Sequence, residues 1–289
     1  MSEDPANLAA RHGFQYDPLT ASARIGCYLM KRMRHIPALL LFVYIALANE
    51  TAAAPAATVP VLVELFTAEG CSSCPPADTM LEKLLEAQPA SGAEIVGLGE
   101  HVDYWDRLGW KDRFSSAALT SRQQKYAARS KGGDVYTPQM VVDGQDAFVG
   151  SDLNAARRAI ERAIAAPHGV VRITCDVSAG NALNVTVAVS DLPASSAGDH
   201  ADIIVAVTED RLRTDVKRGE NQGRTLTHAA VVREMRTVAE ASGPSPSADA
   251  KIKLAPEWVR ANLKVVAFVQ ERASRRVLAT SVMPVPQRP

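Results

Sequence analysis

The sequence predicts an α/β protein, with a β-α-β unit that carries a cysteine pair at its first turn and a smaller, antiparallel, sandwich-like β region after it. Three observations predict this. Apolar runs at 59–66 and 94–98 flank a stretch of helical period at 77–87. Cys71 and Cys74 stand between the first run and that helix. Beyond Pro167 helical periods almost vanish, and short runs alternate apolar with polar residues, as at Leu183, Val185, Val187 and Val189.

Residues 1–58 are read as preceding the folded part. The first 29 carry no sustained period. Met30-Lys31-Arg32-Met33-Arg34-His35 is basic, residues 37–48 are apolar, and small residues follow, including Ala52, Ala53, Ala54, Ala56 and Ala57. A basic start, a short apolar core and small residues make a secretory signal peptide. The apolar run falls short of the roughly 20 residues that span a membrane. The expectation is a translation start at Met30 or Met33, with residues 1–29 a mis-called start. The mature chain is then periplasmic or secreted, with no stable membrane domain. An uncleaved N-terminal anchor is the alternative. Outside the cytoplasm a disulfide persists.

The elements of the first domain, 59–167, follow in order. Val59 to Phe66 is Val- and Leu-rich and broken only by Glu64, the pattern of a buried strand. Thr67-Ala68-Glu69-Gly70 makes a turn. Met80, Leu81, Leu84 and Leu85 recur at helical spacing, and Pro89 to Gly92 ends the helix. Glu94 to Leu98 is the second strand. Such a unit is a right-handed crossover between parallel strands, and open α/β sheets place their ligand sites at the carboxyl ends of their strands. Residues 99–134 form an insertion, polar and aromatic to Phe114, then helical from Ala117 to Arg129. Asp143-Gly144 between apolar runs signals a hairpin, with a return strand at 147–149. Ser151 or Asp152 can cap a last helix to about Ala165, with Leu153, Ala156, Ile160 and Ile164 on one face. In the second domain, 168–289, strands are expected at 170–177, 182–190, 203–209, 264–270 and 277–282, with the Ser/Pro-rich 242–250 a loop.

Lysine plus arginine and aspartate plus glutamate each total 32 in 289 residues, so the net charge is zero. A neutral chain with no basic patch excludes nucleic acid as the expected partner. P-loop, dinucleotide and H-E-x-x-H motifs are absent from the sequence. The chemistry therefore falls on Cys71-Ser72-Ser73-Cys74. Two cysteines two residues apart indicate redox chemistry or metal binding, and the strand–pair–helix placement is that of a thioredoxin-like redox motif. A helix start brings positions i and i+3 together and favours a thiolate. Cys71 is the expected nucleophile and Cys74 the resolving thiol, with an inert disulfide as the alternative. Glu69 would raise the thiol pKa. Pro75 and Pro76 lack N–H groups, so the regular helix can begin there rather than at Cys71.

Other candidates are placed by position. Thr137-Pro138 precedes the hairpin, where a thioredoxin-like fold carries a cis-proline beside its cysteines; an ordinary trans-proline is the alternative. Glu64 is either buried, with a raised pKa that suits it to accept a proton from the resolving thiol, or turned to solvent. His101 is a base, a metal ligand or a surface residue, with Asp103 able to orient it. Tyr104, Trp105 and Trp110 form a substrate wall or pack the insertion. Glu220, Asn221, Arg224 and His228 are read first as a solvated turn, then as a loop facing the first domain. Cys175 is expected to be a buried apolar thiol.

The segments Val63 to Asp78 (VELFTAEGCSSCPPAD), His101 to Trp110 (HVDYWDRLGW), Tyr136-Thr137-Pro138-Gln139 and Gly219 to Leu226 (GENQGRTL) resemble a family of secreted bacterial proteins of unknown function with a thioredoxin-like fold. The resemblance covers the chain from about residue 59. It implies the fold and supplies no established reaction. The expected function is thiol–disulfide exchange at Cys71 and Cys74 on a partner protein or small disulfide, with no cofactor. The alternatives are copper binding at Cys71, Cys74 and His101, since soft thiolates suit Cu(I), and a non-catalytic thioredoxin-fold binding module.

Overall fold

The Val- and Leu-rich run forms β1 (Val59–Thr67), buried on both faces from Val61 onward. In the computed structural model, which describes residues 58–87, 92–129 and 133–287, it is followed by α1 (Pro75–Ala87) and β2 (Ala93–His101). The start-codon and signal-peptide readings lie outside the described residues. β2 pairs with β1 in parallel, from Val59 opposite Ala93 to Thr67 opposite His101. After a short 3-10 turn, α2 (Ala117–Ala127) begins at Ser116, whose side chain accepts from the Ala118 N–H. β3 (Gln139–Val142) and β4 (Asp146–Val149) form the expected hairpin, and Asp143 and Gly144 supply the positive φ angles that its tight turn needs. Asp152 caps α3 (Leu153–Ala165), accepting from Ala155 N–H.

The strands that follow are β5 (Val170–Ser178), β6 (Ala182–Ser190), β7 (Ala201–Glu209), β8 (Leu212–Asp215), β9 (Thr225–His228), β10 (Val231–Glu240), β11 (Ser247–Lys253), β12 (Leu263–Glu271) and β13 (Val277–Pro284). Eight strands make one sheet in the order β13-β12-β7-β10-β2-β1-β3-β4. Strands from either side of residue 167 thus share a sheet, and Ala56–Pro289 forms one compact unit. A second sheet, β11-β6-β5, faces the β7–β12–β13 part of the first through a core of Leu183, Val185, Val187, Val205, Val207 and Val265. The fold is mixed α/β, one large sheet with a few helices and a sandwich-like region at one end. The 242–250 loop expectation is corrected in part, since alternating Ala248, Ala250 and Ile252 make β11.

β1 has two different faces. Val61, Val63 and Leu65 pack under α1 and α3 with Met80, Leu81, Ala156 and Ile160. Leu62 and Phe66 point to the opposite side, towards α2. Glu64 lies between them, fully buried, and settles its open orientation inward. Arg122 of α2 reaches it at 2.5 Å and also donates to Glu100 of β2 at 3.3 Å. The Tyr126 hydroxyl completes the shell of Glu64 and accepts from Gln270 of β12 at 2.8 Å. The network ties α2 to three strands.

The expected raised pKa of Glu64 is corrected. Burial disfavours its charge, but Arg122, Glu100 and Tyr126 together outweigh that and hold the carboxyl below the ordinary glutamate range. Burial, with the Glu64 charge beside it, pushes Glu100 well above that range despite Arg122. Glu64 is thus the favoured anion for Arg122, and Glu100 holds its proton more strongly beside it. Cys175 is a second correction. It lies on β5, the edge of the small sheet, so cover is incomplete and it is only partly buried, its Sγ 3.7 Å from Met283 Sδ.

Glu64→Gln leaves Arg122 buried without its anion and is expected to cost about 3–5 kcal/mol. Glu100→Gln mimics the neutral acid and is expected to cost less than about 1 kcal/mol. Urea denaturation of both variants at pH 7 checks the pair.

Candidate functional site

β1 ends at Thr67, and the chain turns through Ala68–Ser73 before α1 starts at Pro75. The turn is built by Cys71 N–H donating to Ala68 O at 3.1 Å and Cys74 N–H donating to Cys71 O at 3.2 Å. Helical bonding begins at Cys74, whose carbonyl accepts from Ala77 at 2.8 Å and Asp78 at 3.1 Å. The prolines occupy the first helical positions, where an N–H would have no partner in any case. The helix therefore starts after the pair, as the prolines implied. Cys71 and Cys74 form a disulfide with Cα atoms 5.4 Å apart. The Ser73 hydroxyl donates towards Cys71 Sγ at 3.4 Å, since a bridged sulfur has no proton to give.

Both cysteines are 0% exposed. Two pieces of chain cover them. Trp105, from the insertion, lies against Gly70, where a Cβ would stand 3.2 Å from its own, and its indole N–H donates to Thr137 Oγ1 at 2.8 Å. It bridges the turn before Cys71 to the residue before Pro138, and the Thr137–Pro138 bond is cis. The other cover is the segment between β8 and β9. Asn221, fully buried, donates from Nδ2 to the carbonyls of Glu69 and Cys71, both at 2.9 Å, and its Oδ1 accepts from Arg224 at 3.1 Å. Glu220 takes the Ser72 N–H at 3.1 Å. The solvated-turn reading of this segment is thereby corrected, because its polar groups satisfy the carbonyls of the cysteine turn. Gly219 permits the approach, since a Cβ there would meet Trp110 Cβ at 3.1 Å.

Beneath the turn lies a buried polar cluster. His101 Nδ1 donates to Asp112 Oδ2 at 2.6 Å, and Asp112 also accepts from the N–H groups of Glu69 at 2.9 Å and Phe114 at 2.8 Å. Burial opposes ionisation of Asp112, but His101 and those N–H groups overcome it and hold the carboxyl at about 2. Burial likewise opposes charge on His101, and Asp112 more than compensates, so its pKa is raised. Asp103, the expected orienting partner, instead accepts from Thr120 at 2.6 Å. Trp110 donates to Glu69 Oε2 at 2.7 Å. Tyr104 bonds to Gln123 at 3.3 Å. His228 of β9 stacks edge-on to His101 at 4.8 Å, with Nε2 3.5 Å from Glu69 Oε1.

The structure thus gathers Cys71, Cys74, Thr137, Pro138 and Trp105 at one edge, with Trp110 and His101 behind them and Tyr104 and Asp103 on the α2 side. Glu64 is committed to Arg122. Among the described residues, no group of three or more His, Cys, Asp or Glu side chains is arranged to hold a metal ion. Asp112 and Asp78 were not singled out in sequence as parts of a buried site, and Asn221 was named only within a segment read first as a solvated turn. Asp78 had a local signal, standing four residues beyond Cys74 in a helix.

Residues 62–270 match the family described as "Protein of unknown function (DUF1223)". The chain belongs to that family. Among solved structures it is similar to protein AGR_C_4864 from Agrobacterium tumefaciens, at 26% identity and a TM-score of 0.61, covering 80% of this chain and 97% of that one. It is also similar to HBP35 of Porphyromonas gingivalis, at 14% identity and a TM-score of 0.58, covering 79% of this chain and 76% of that one. No curated protein matches.

Two outcomes follow from the cover and the cluster. Asn221→Ala removes two hydrogen bonds worth about 1 kcal/mol each and is expected to speed reduction of the disulfide by dithiothreitol roughly tenfold or more, read as the rate of thiol appearance. Asp112→Asn removes the largest of the charges that oppose burial at His101, leaving Asp78 and Glu69. The His101 pKa, above the ordinary value in the parent protein, is expected to fall, as followed by NMR titration of the ring C–H signals.

Proposed function

We propose that this protein is a thioredoxin-like, extracytoplasmic thiol–disulfide oxidoreductase that works through Cys71 and Cys74 on a partner protein or a small disulfide. The observation that carries the reading is the disulfide at the junction of β1 and α1, linked through Trp105 to Thr137 and the cis-Pro138. A pair so placed can pass two electrons by way of a mixed disulfide. Cys71 lies on the turn and accepts the Ser73 hydroxyl, so it is the sulfur that attacks; Cys74 begins the helix and resolves. Export is proposed from the basic, apolar and small-residue order of 30–57, and a periplasmic or secreted location lets the disulfide persist.

The cover sets a condition on this chemistry. With both cysteines at 0% exposure, a partner reaches Cys71 only after the packing around the cysteine turn opens. The same burial favours one other reading, a binding module of the same fold whose disulfide is a structural staple.

Redox titration of the native protein against glutathione separates the two. An oxidoreductase is expected to titrate within the range of roughly −120 to −270 mV seen for catalytic pairs, to reduce insulin, and to lose that activity in Cys71→Ser. A pair that stays oxidised in native protein below about −300 mV and exchanges with no disulfide overturns the proposal in favour of the staple. Copper held by the reduced protein at one ion per pair would overturn it in favour of metal handling.

A further inference from the structure

The cations of this neutral chain are not spread evenly. The insertion carries Arg107, Lys111 and Arg113, and β8 and the segment after it carry Arg213, Lys217 and Arg218. All six are exposed. Arg113 and Arg213 are 100 residues apart in sequence, so no basic run announces the group; the fold assembles it. Arg113 donates to Arg213 O at 2.9 Å. A Cβ on Gly219 would stand 3.1 Å from Trp110 Cβ and 3.8 Å from Leu108 O. The turn after β8 is thus pressed against 108–110, and Arg107, Lys111, Lys217 and Arg218 border that contact on both segments.

The acids of the same two segments have other tasks. Asp112 is buried against His101. Asp106 accepts from the Asp112 N–H at 3.1 Å and from the Ser115 hydroxyl at 2.8 Å. Asp215 accepts from Thr225 at 2.6 Å and lies 3.9 Å from Arg213. Glu220 holds the Ser72 N–H at 3.1 Å. Among the described residues, Arg107, Lys111, Lys217 and Arg218 form no ion pair. Leu108, at the contact they border, is 54% exposed. The face is therefore an apolar side chain among four cations that have no anion of their own.

We propose that this face docks an acidic polypeptide segment of a partner protein, whose carboxylates meet the four cations and whose apolar side chain rests on Leu108. Unpaired charge of one sign attracts its complement and fixes its register. The guanidinium groups of Arg107 and Arg218 match carboxylates in a two-pronged geometry. Nucleic acid is disfavoured, because neither segment exposes an aromatic ring on which bases could stack. A lipid surface is disfavoured too. Leu108 is the one large apolar residue exposed on these segments, and a membrane-binding face needs a broad apolar side. The face adjoins the cysteine turn, since Glu220 and Asn221 reach Ser72 and Cys71. A segment docked here sits on the cover of the disulfide. The proposal holds for an exchanging disulfide and for a staple alike.

The test uses the native, oxidised full chain and a short fluorescein-labelled peptide of alternating glutamate and leucine, read by fluorescence anisotropy. The reference peptide has glutamine at every glutamate. At low salt the acidic peptide is expected to bind at least about tenfold more tightly than the reference, as a few exposed ion pairs acting together allow. The advantage is expected to vanish near 1 M salt, where charges are screened within about 3 Å. Reversing two cations, Lys217→Glu with Arg218→Glu, is expected to weaken acidic-peptide binding at least about tenfold. Lys253→Glu, at an exposed position on β11, is expected to change it less than about twofold. Equal affinity for the two peptides, or an equal loss in Lys253→Glu, overturns the proposal. Tighter binding of oligothymidine or of phosphatidylserine vesicles overturns it in favour of nucleic acid or a membrane. Nitrogen-15 NMR supplies the location: the acidic peptide is expected to shift the backbone amides of 107–111 and 217–220, and shifts confined to other residues overturn the proposal. None of these readouts requires thiol exchange, so their failure is distinct from failure of the redox titration.

Discussion

The arrangement of the site depends on how closely two strands approach at Gly99. β10 meets β2 at a single register position, Val231 opposite Gly99, and the Gly99 N–H donates to Ala230 O at 2.7 Å. A Cβ at residue 99 would lie 2.9 Å from Ala229 O, closer than such atoms come. Glycine there lets the antiparallel half of the sheet join the parallel half edge to edge. Everything upstream of β10 is then set in place. His228, two residues before Ala230, is carried under the cysteine turn, and Asn221 is carried over it.

This joint explains why the two halves act as one. A parallel β-α-β unit alone would leave its cysteine turn open at the carboxyl edge of the sheet. Here the carbonyl of Glu69 is met by an amide 152 residues further on, which also reaches the Cys71 carbonyl beside that carbonyl's bond from Cys74. Buried backbone carbonyls require such partners. The cover and the polar cluster below it are therefore structural necessities of a turn placed inside the protein rather than on its rim. The Arg122 network does the same on the other face of β1, supplying charge where Glu64 would otherwise be buried alone.

The elements that follow a clean period were legible in sequence. β1, α1, β2, the hairpin and α3 emerged within a few residues of their bounds because apolar spacing decides them. β10 did not, although it is central. Its pairing with β7 slips at Val232/Glu234 and again at Thr237/Ala239, so its alternation changes phase twice within ten residues. In the site, Cys71, Cys74 and Pro138 were legible from local motifs. His101 was legible as a candidate, but not its partner. Asp103 was the nearer carboxylate in sequence, whereas the 3-10 turn at Asp106–Leu108 folds the insertion back and delivers Asp112. Asn221 and His228 were visible only as part of a polar stretch with no period, and the joint at Gly99 gives them their place.

The long separation between the cysteine turn and its cover has a consequence in time. A growing chain presents Cys71 and Cys74 well before Asn221 exists. The lag is 150 residues, or roughly 8–30 s at ordinary rates of synthesis. Until residue 221 has been made, the Glu69 carbonyl lacks the amide that meets it in the finished fold, so the cysteine turn is among the last parts of the first strand–helix unit to be completed.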